Sequence, residues 1–218
     1  MCEYLKKESI VLSLPTVHAY MKGMNLRSIA RRRKNIYSKG EKHRIFDNLL
    51  NRKFKAETKN TIYLTDFTYL FLEDGTKRYN CTIIDLYDRS VVATLNSDRI
   101  DARLAIDTLS IALENNKIEK GVILHSDQGT QYTSKEFTEY CEKHSVQQSM
   151  SRAGYPYDNA PMERFFNTLK NEYVYHHSFK SAEAMDEGIY EFARVHYNYV
   201  RPHTYNGGKT PMKARKGK

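Results

Sequence analysis

The sequence predicts an α/β fold, a mixed five-stranded sheet flanked by helices. Three runs rich in β-branched and aromatic residues follow one another at hairpin spacing between residues 61 and 95. Two further short apolar runs, at residues 121–124 and 146–150, alternate with stretches of helical periodicity. The last third carries apolar residues at helix spacing and many tyrosines. Strands first paired as a meander and then interleaved with helices describe a sheet layered between helices.

Taken in order, residues 13–23 hold an N-cap serine (Ser13), a proline in the first turn (Pro15) and a closing glycine (Gly23), which delimit a helix. Val17, Tyr20 and Met21 form its expected apolar face, with His18 and Lys22 outward. Residues 26–60 are polar and basic and read as an extended linker able to track phosphates. The first strand covers residues 61–72, and Glu73, Asp74, Gly75 and Thr76 give a tight turn into residues 79–87 and then 90–95. A helix is expected over residues 99–116, a strand over 121–124, a helix over 134–144 and a strand over 146–150. Residue 159 opens a helix with Met162, Phe166, Leu169 and Tyr173 as its stripe. The last long helix spans 182–199, burying Met185, Ile189, Phe192 and His196 or its neighbours.

With 218 residues the chain can bury one sizeable core and carry a shorter arm. No apolar run is long enough to span a bilayer and the N-terminus lacks a secretory pattern, so a cytoplasmic protein without membrane partners is expected. Three widely spaced cysteines, Cys2, Cys81 and Cys141, form no zinc-binding pair and read as reduced thiols. The net charge of +9 is segregated: residues 1–60 hold 15 Lys and Arg against 5 acids, whereas the remainder is nearly balanced. Its densest run is Arg31, Arg32, Arg33 and Lys34. A cationic arm of this kind suits a polyanion such as nucleic acid.

Three acids stand out. Alternation along the first strand places Asp66 in an otherwise apolar row with Ile62, Leu64, Thr68 and Leu70. Burying an unpaired carboxylate costs several kcal/mol, so Asp66 requires a partner, a cation or an opening to solvent. Asp127 follows the strand at 121–124 and Glu163 lies near the start of a helix. Alone, Asp127 suits a turn and Glu163 suits the helix dipole. Together they could converge at a sheet end and hold two divalent cations, with oxygen ligands suited to Mg²⁺ or Mn²⁺ and to phosphoryl transfer.

Thr65-Asp66-Phe67-Thr68, then the segment 125–132 (HSDQGTQY), then 158–172 (DNAPMERFFNTLKNE) resemble the DDE transposases of bacterial insertion sequences. The likeness is to the second-frame product of the two-reading-frame group, within the retroviral-integrase catalytic-core superfamily. Sixty residues separate Asp66 from Asp127 and 35 separate Asp127 from Glu163, the spacing that marks this superfamily. Residues 197–203 (YNYVRPH) and 209–211 (KTP) are similar to the group's C-terminal pattern.

The resemblance implies an RNase H-like sheet with a basic N-terminal arm, and Asp66, Asp127 and Glu163 as catalytic metal ligands for Mg²⁺ or Mn²⁺, with two ions expected. It further implies metal-dependent cleavage and 3′-hydroxyl transesterification of DNA at insertion-sequence ends. Lys170, seven residues beyond Glu163 and so on the same helix face, is an expected DNA contact together with residues 31–34. Expected partners are DNA carrying terminal inverted repeats, target DNA, further copies of the chain and an upstream-frame DNA-binding protein, all in the bacterial cytoplasm at the nucleoid. The expected divisions are a partial helix-turn-helix over 1–25, a basic linker over 26–60, the catalytic core over 61–175 and a C-terminal helical extension with a basic tail over 176–218. The same residues leave open a non-catalytic DNA-binding inhibitor of transposition and a nuclease of the same fold.

Overall fold

The computed structural model describes residues 2, 5, 8–26, 44–118, 121–217. The chain divides into two compact units, residues 1–40 and 41–218. The arginine run at 31–34 lies outside the described residues.

In the first unit, α1 (Leu14–Gly23) starts where Ser13 accepts a hydrogen bond from the Thr16 N–H at 3.3 Å. His18 and Lys22 face outward as expected, and Val17 is buried. Tyr20 departs from expectation at 60% exposed, because so small a unit offers too little surface to cover a tyrosine.

The second unit is built on β1 (Ile62–Phe71), β2 (Lys77–Asp85), β3 (Val91–Ser97), β4 (Ile123–Ser126) and β5 (Gln147–Met150), in spatial order β3-β2-β1-β4-β5. The first three form the expected antiparallel meander, and β1, β4 and β5 pair in parallel. Parallel pairing needs crossovers, which α2 (Ala102–Asn115), α3 (Thr130–Thr133) and α4 (Lys135–Lys143) supply. Asp101 caps α2 by accepting from the Leu104 N–H at 2.9 Å. The helix expected over residues 134–144 is α4, capped by Ser134, which accepts from the Phe137 N–H; the short α3 precedes it and ends at the same serine.

Helices cover both faces. Tyr63, Ile83 and Leu124 pack with Leu109, Ala112 and Phe137 on one side. On the other, Leu64, Leu70 and Ile84 pack against α5 (Ala160–Glu172) and against α6 (Ala182–Tyr190) with its continuation. Phe165 joins the expected stripe of α5, fully buried against Tyr197 at 5.1 Å between ring centroids. Beyond Tyr190 the helix winds as a π-helix over Glu191–Val200, and its wider turn buries Phe192, Ala193, Tyr197 and Asn198 while His196 stays exposed. Described linker residues also join the core, since Leu50 and Ala56 are buried among these side chains. The buried Cys81 and Cys141 and the half-buried Cys2 are free thiols.

The short closing helix α7 (Pro211–Lys216) carries the main buried ion cluster of the sheet's lower end. Arg215 Nη1 donates to Asp85 Oδ2 at 2.7 Å and to Asp88 Oδ2 at 2.8 Å, and Nη2 donates to Asn60. Both aspartates are fully buried. Removing the arginine leaves two buried negative charges facing each other. Arg215→Ala is expected to cost about 3–5 kcal/mol of unfolding free energy, read by chemical denaturation. A loss under about 1 kcal/mol would contradict this account.

Candidate active site

Strand register puts the first two acids side by side. Ile62 lies opposite Ile123 and Leu64 opposite His125, and two residues further along each chain come Asp66 and Asp127. Alternation keeps both on the α5 face. The β1–β4 pairing spans only Ile62 to Leu64, so the chains part just below the two carboxylates and a crevice opens at the strands' carboxyl ends. Strand β4 reaches Ser126, two residues beyond the expected end, because it is held between β1 and β5. Asp127 therefore follows the strand directly.

Glu163 arrives from the same face. Its helix α5 follows a 3₁₀ turn over Pro156–Asn159, and Asn159 Nδ2 donates to the Thr65 carbonyl at 3.1 Å, tying the helix start to β1 one residue before Asp66. Asp66, Asp127 and Glu163 all line one cleft of about 490 Å³, with Gln128, Gly129 and Ser151.

Asp66 is pushed up to about 7, mainly by burial, then by the neighbouring Asp127 and Glu163, against the opposing Phe67 N–H at 2.7 Å from Oδ1. Asp127 is raised by desolvation and partly held down by the Gly129 N–H, which donates to Oδ1 at 2.9 Å. Among the described residues none of the three acids forms an ion pair. Nor do any three His, Cys, Asp or Glu side chains there stand close enough, as placed, to grip one ion.

Two observations fit a hydrated cation nevertheless. Asn159 is among the residues that line the cleft, and its buried Oδ1 has no hydrogen-bond partner among the described residues. At Gly129 a Cβ would lie 2.9 Å from Asp127 Oδ1, so only glycine leaves this carboxylate free in its present rotamer.

The cleft floor depends on residues that the spacing of acids does not single out. His125 is fully buried, and burial lowers its pKa, leaving it neutral. Its Nε2 lies 2.9 Å from the Asp158 carbonyl, which can only accept, so Nε2 carries the hydrogen. Nδ1 then accepts from Ser149 Oγ at 2.8 Å, and that oxygen accepts from the Leu49 N–H. One imidazole thus joins β4, β5 and the segment leading to Glu163. Its sequence signal was the alternation of Ile123, His125 and Asp127 on one face.

Lys170 lies two turns along α5 from Glu163 and does not line the cleft. Its half-buried ammonium sits 5.0 Å from the Tyr69 ring centroid, and burial lowers its pKa.

A carboxylate-lined crevice at the split of β1 and β4, on a β3-β2-β1-β4-β5 sheet, defines an integrase-core protein with an RNase H-like fold. The Integrase core domain family matches residues 56–156, and a second Integrase core domain family matches residues 144–211. The catalytic core domain of HTLV-2 integrase, in complex with magnesium, superposes with a TM-score of 0.55 at 19% identity, over 73% of this chain and 99% of that one. A chain of the simian T-cell lymphotropic virus intasome gives 0.61 at 17% identity, over 100% and 74%.

Transposase InsF for insertion sequence IS3A of Escherichia coli (strain K12) is 33% identical over 212 residues, covering 97% of this chain and 73% of that protein. The transposase for insertion sequence element IS904 of Lactococcus lactis is 36% identical over 164 residues, covering 75% and 64%. The chain belongs to the insertion-sequence transposases of the IS3 kind.

Gly129→Ala is expected to leave the fold intact, since its φ of −59° suits alanine, yet to displace the Asp127 carboxylate. Mn²⁺ affinity measured by calorimetry should fall about 10–100-fold with an unchanged melting temperature in metal-free buffer. Undiminished affinity would rule out Asp127 as a ligand in this rotamer.

Proposed function

We propose that this transposase is a DNA strand transferase whose Asp66, Asp127 and Glu163 hold divalent cations and act on phosphodiesters at insertion-sequence ends. The observation that carries this reading is the meeting of these three acids on one cleft at the split of β1 and β4. Mg²⁺ or Mn²⁺ bound there supplies activation of an attacking oxygen and neutralisation of phosphate charge. The chain itself orients the reactants. Asn159 ties the start of the Glu163 helix to β1 beside Asp66, and His125 joins β4, β5 and the segment before Glu163.

In the first step water attacks phosphorus, the bond to the 3′-oxygen breaks, and a free 3′-hydroxyl is left on the element end. In the second, that hydroxyl loses its proton and attacks a target phosphodiester, forming one P–O bond as another breaks and the target's 3′-oxygen departs. Bond count is conserved, so no high-energy cofactor is consumed. Two ends and one target call for more than one copy of the chain, in keeping with the dimeric and trimeric forms described for the HTLV-2 core. An upstream-frame partner would supply further recognition of the inverted repeats, and Lys170 would meet the DNA backbone.

Labelled DNA carrying the element's inverted repeats, incubated with the protein and Mn²⁺ or Mg²⁺, tests this reading. Nicking and joining are expected, and Asp127→Asn should lower both at least about a hundredfold while DNA binding persists. Nicking without joining would make the protein a nuclease, and salt-sensitive binding without cleavage would make it an inhibitor. Lys170→Ala should weaken binding to all sequences alike and flatten the salt dependence by a slope of about 1, measured by anisotropy across a salt series.

A further inference from the structure

At the rim of the cleft, two arginines share one buried acid. Asp158 is fully buried and accepts from Arg52 Nε at 2.6 Å, Arg152 Nε at 3.1 Å, Asn48 Nδ2 at 3.0 Å and the Arg152 N–H at 3.2 Å. Those arginines hold its carboxyl well below the usual carboxylate range. Both guanidiniums also lie on Tyr155, at 4.7 Å for Arg152 and 5.8 Å for Arg52 from the ring centroid. Tyr155 itself is 51% exposed, and Arg152 and Tyr155 line the same cleft as the three acids.

This cluster differs from a structural ion cluster in one respect. Around Asp85 and Asp88 the arginine is buried with its acids, at 9% side-chain exposure for Arg215. Around Asp158 the acid is hidden while Arg52 and Arg152 keep 44% and 53% of their side chains exposed. Each engages Asp158 through Nε, and among the described residues the Nη atoms have no hydrogen-bond partner. Two positive charges against one hidden negative leave an outward face that is purely cationic. Because the acid and the ring already fix the guanidiniums, little rotamer entropy remains to be lost when an anion docks.

We infer that Arg52, Arg152 and Tyr155 form a seat for one backbone phosphate of the DNA strand that enters the cleft. The outer guanidinium N–H groups would bind its non-bridging oxygens, with the Tyr155 hydroxyl as a further donor. Three carboxylates repel a polyanion, and a preset cationic rim beside them offsets that repulsion one phosphate away from the reacting one. This inference rests on the strand-transferase reading.

The test is fluorescence anisotropy of a labelled inverted-repeat duplex with the full chain, in Ca²⁺ and across a salt series. Wild type is compared with the double variant Arg52→Lys and Arg152→Lys, which keeps a charge for Asp158, and with Tyr155→Phe, which removes only an exposed hydroxyl. The double variant is expected to bind about tenfold more weakly, because lysine keeps the charge but loses the fork of donors, with the salt slope nearly unchanged and a smaller loss of affinity for Tyr155→Phe. Wild-type affinity in both variants would overturn the seat. Should the double variant melt well below wild type, Tyr155→Phe decides alone, and unchanged binding there overturns it. If wild type nicks and joins DNA while the variants bind normally, only the seat falls. If the rim variants lose binding although wild type never cuts, the seat stands and the strand-transferase reading falls.

Discussion

The structure depends on a mismatch between two parallel strands. Strand β1 runs for ten residues and is paired with β2 along nearly all of them, but its other neighbour, β4, has four residues and meets β1 over three. Where β4 leaves, the upper half of β1 faces a gap, and a carboxylate placed there escapes burial inside a closed sheet. The Thr65 carbonyl, which a longer β4 would have left to a ladder, is taken by Asn159 instead. That hydrogen bond brings the start of α5, and Glu163 with it, to the gap. A longer β4 would close the crevice and remove the reason for Asp66 to be polar.

The molecule handles its acids in two ways. Asp85 and Asp88 share Arg215, and Asp158 takes Arg52 and Arg152, so these charges are compensated by the protein itself. Asp66 and Asp127 have only backbone N–H groups as partners among the described residues, and both are raised. The crowding of these acids at an opening, with no protein cation beside them among the described residues, is what the proposed metal site rests on.

Much of this was legible in the sequence, for identifiable reasons. Asp66 stood out because strand alternation is strict and a carboxylate in an apolar row has no local excuse. The five strands were legible because each is a short apolar run bounded by turn residues. The cluster of Arg52, Arg152 and Asp158 gave no such signal, since Arg52 meets Asp158 from 106 residues away and the arrangement depends on where β5 and the linker come to rest. The π-helical segment was hidden for another reason. Its stripe follows a different period, so a 3.6-residue reading leaves His196 or a neighbour as the inward residue, and the wider turn makes it Tyr197. The end of β4 was misjudged because His125 and Ser126 look like turn residues, and only the neighbouring strands hold them extended.

The Arg215 cluster has a consequence for biosynthesis. Arg215 bonds Asn60, Asp85 and Asp88, partners between 127 and 155 positions earlier in the chain. The sheet strands leave the ribosome long before this arginine does, so throughout that interval Asp85 and Asp88 lack their counter-charge. A nascent chain halted before residue 215 carries two uncompensated acids at the base of its meander, which opposes early closure and leaves apolar strand faces to chaperones. Asp85 and Asp88 therefore gain their counter-charge only once α7 is in place.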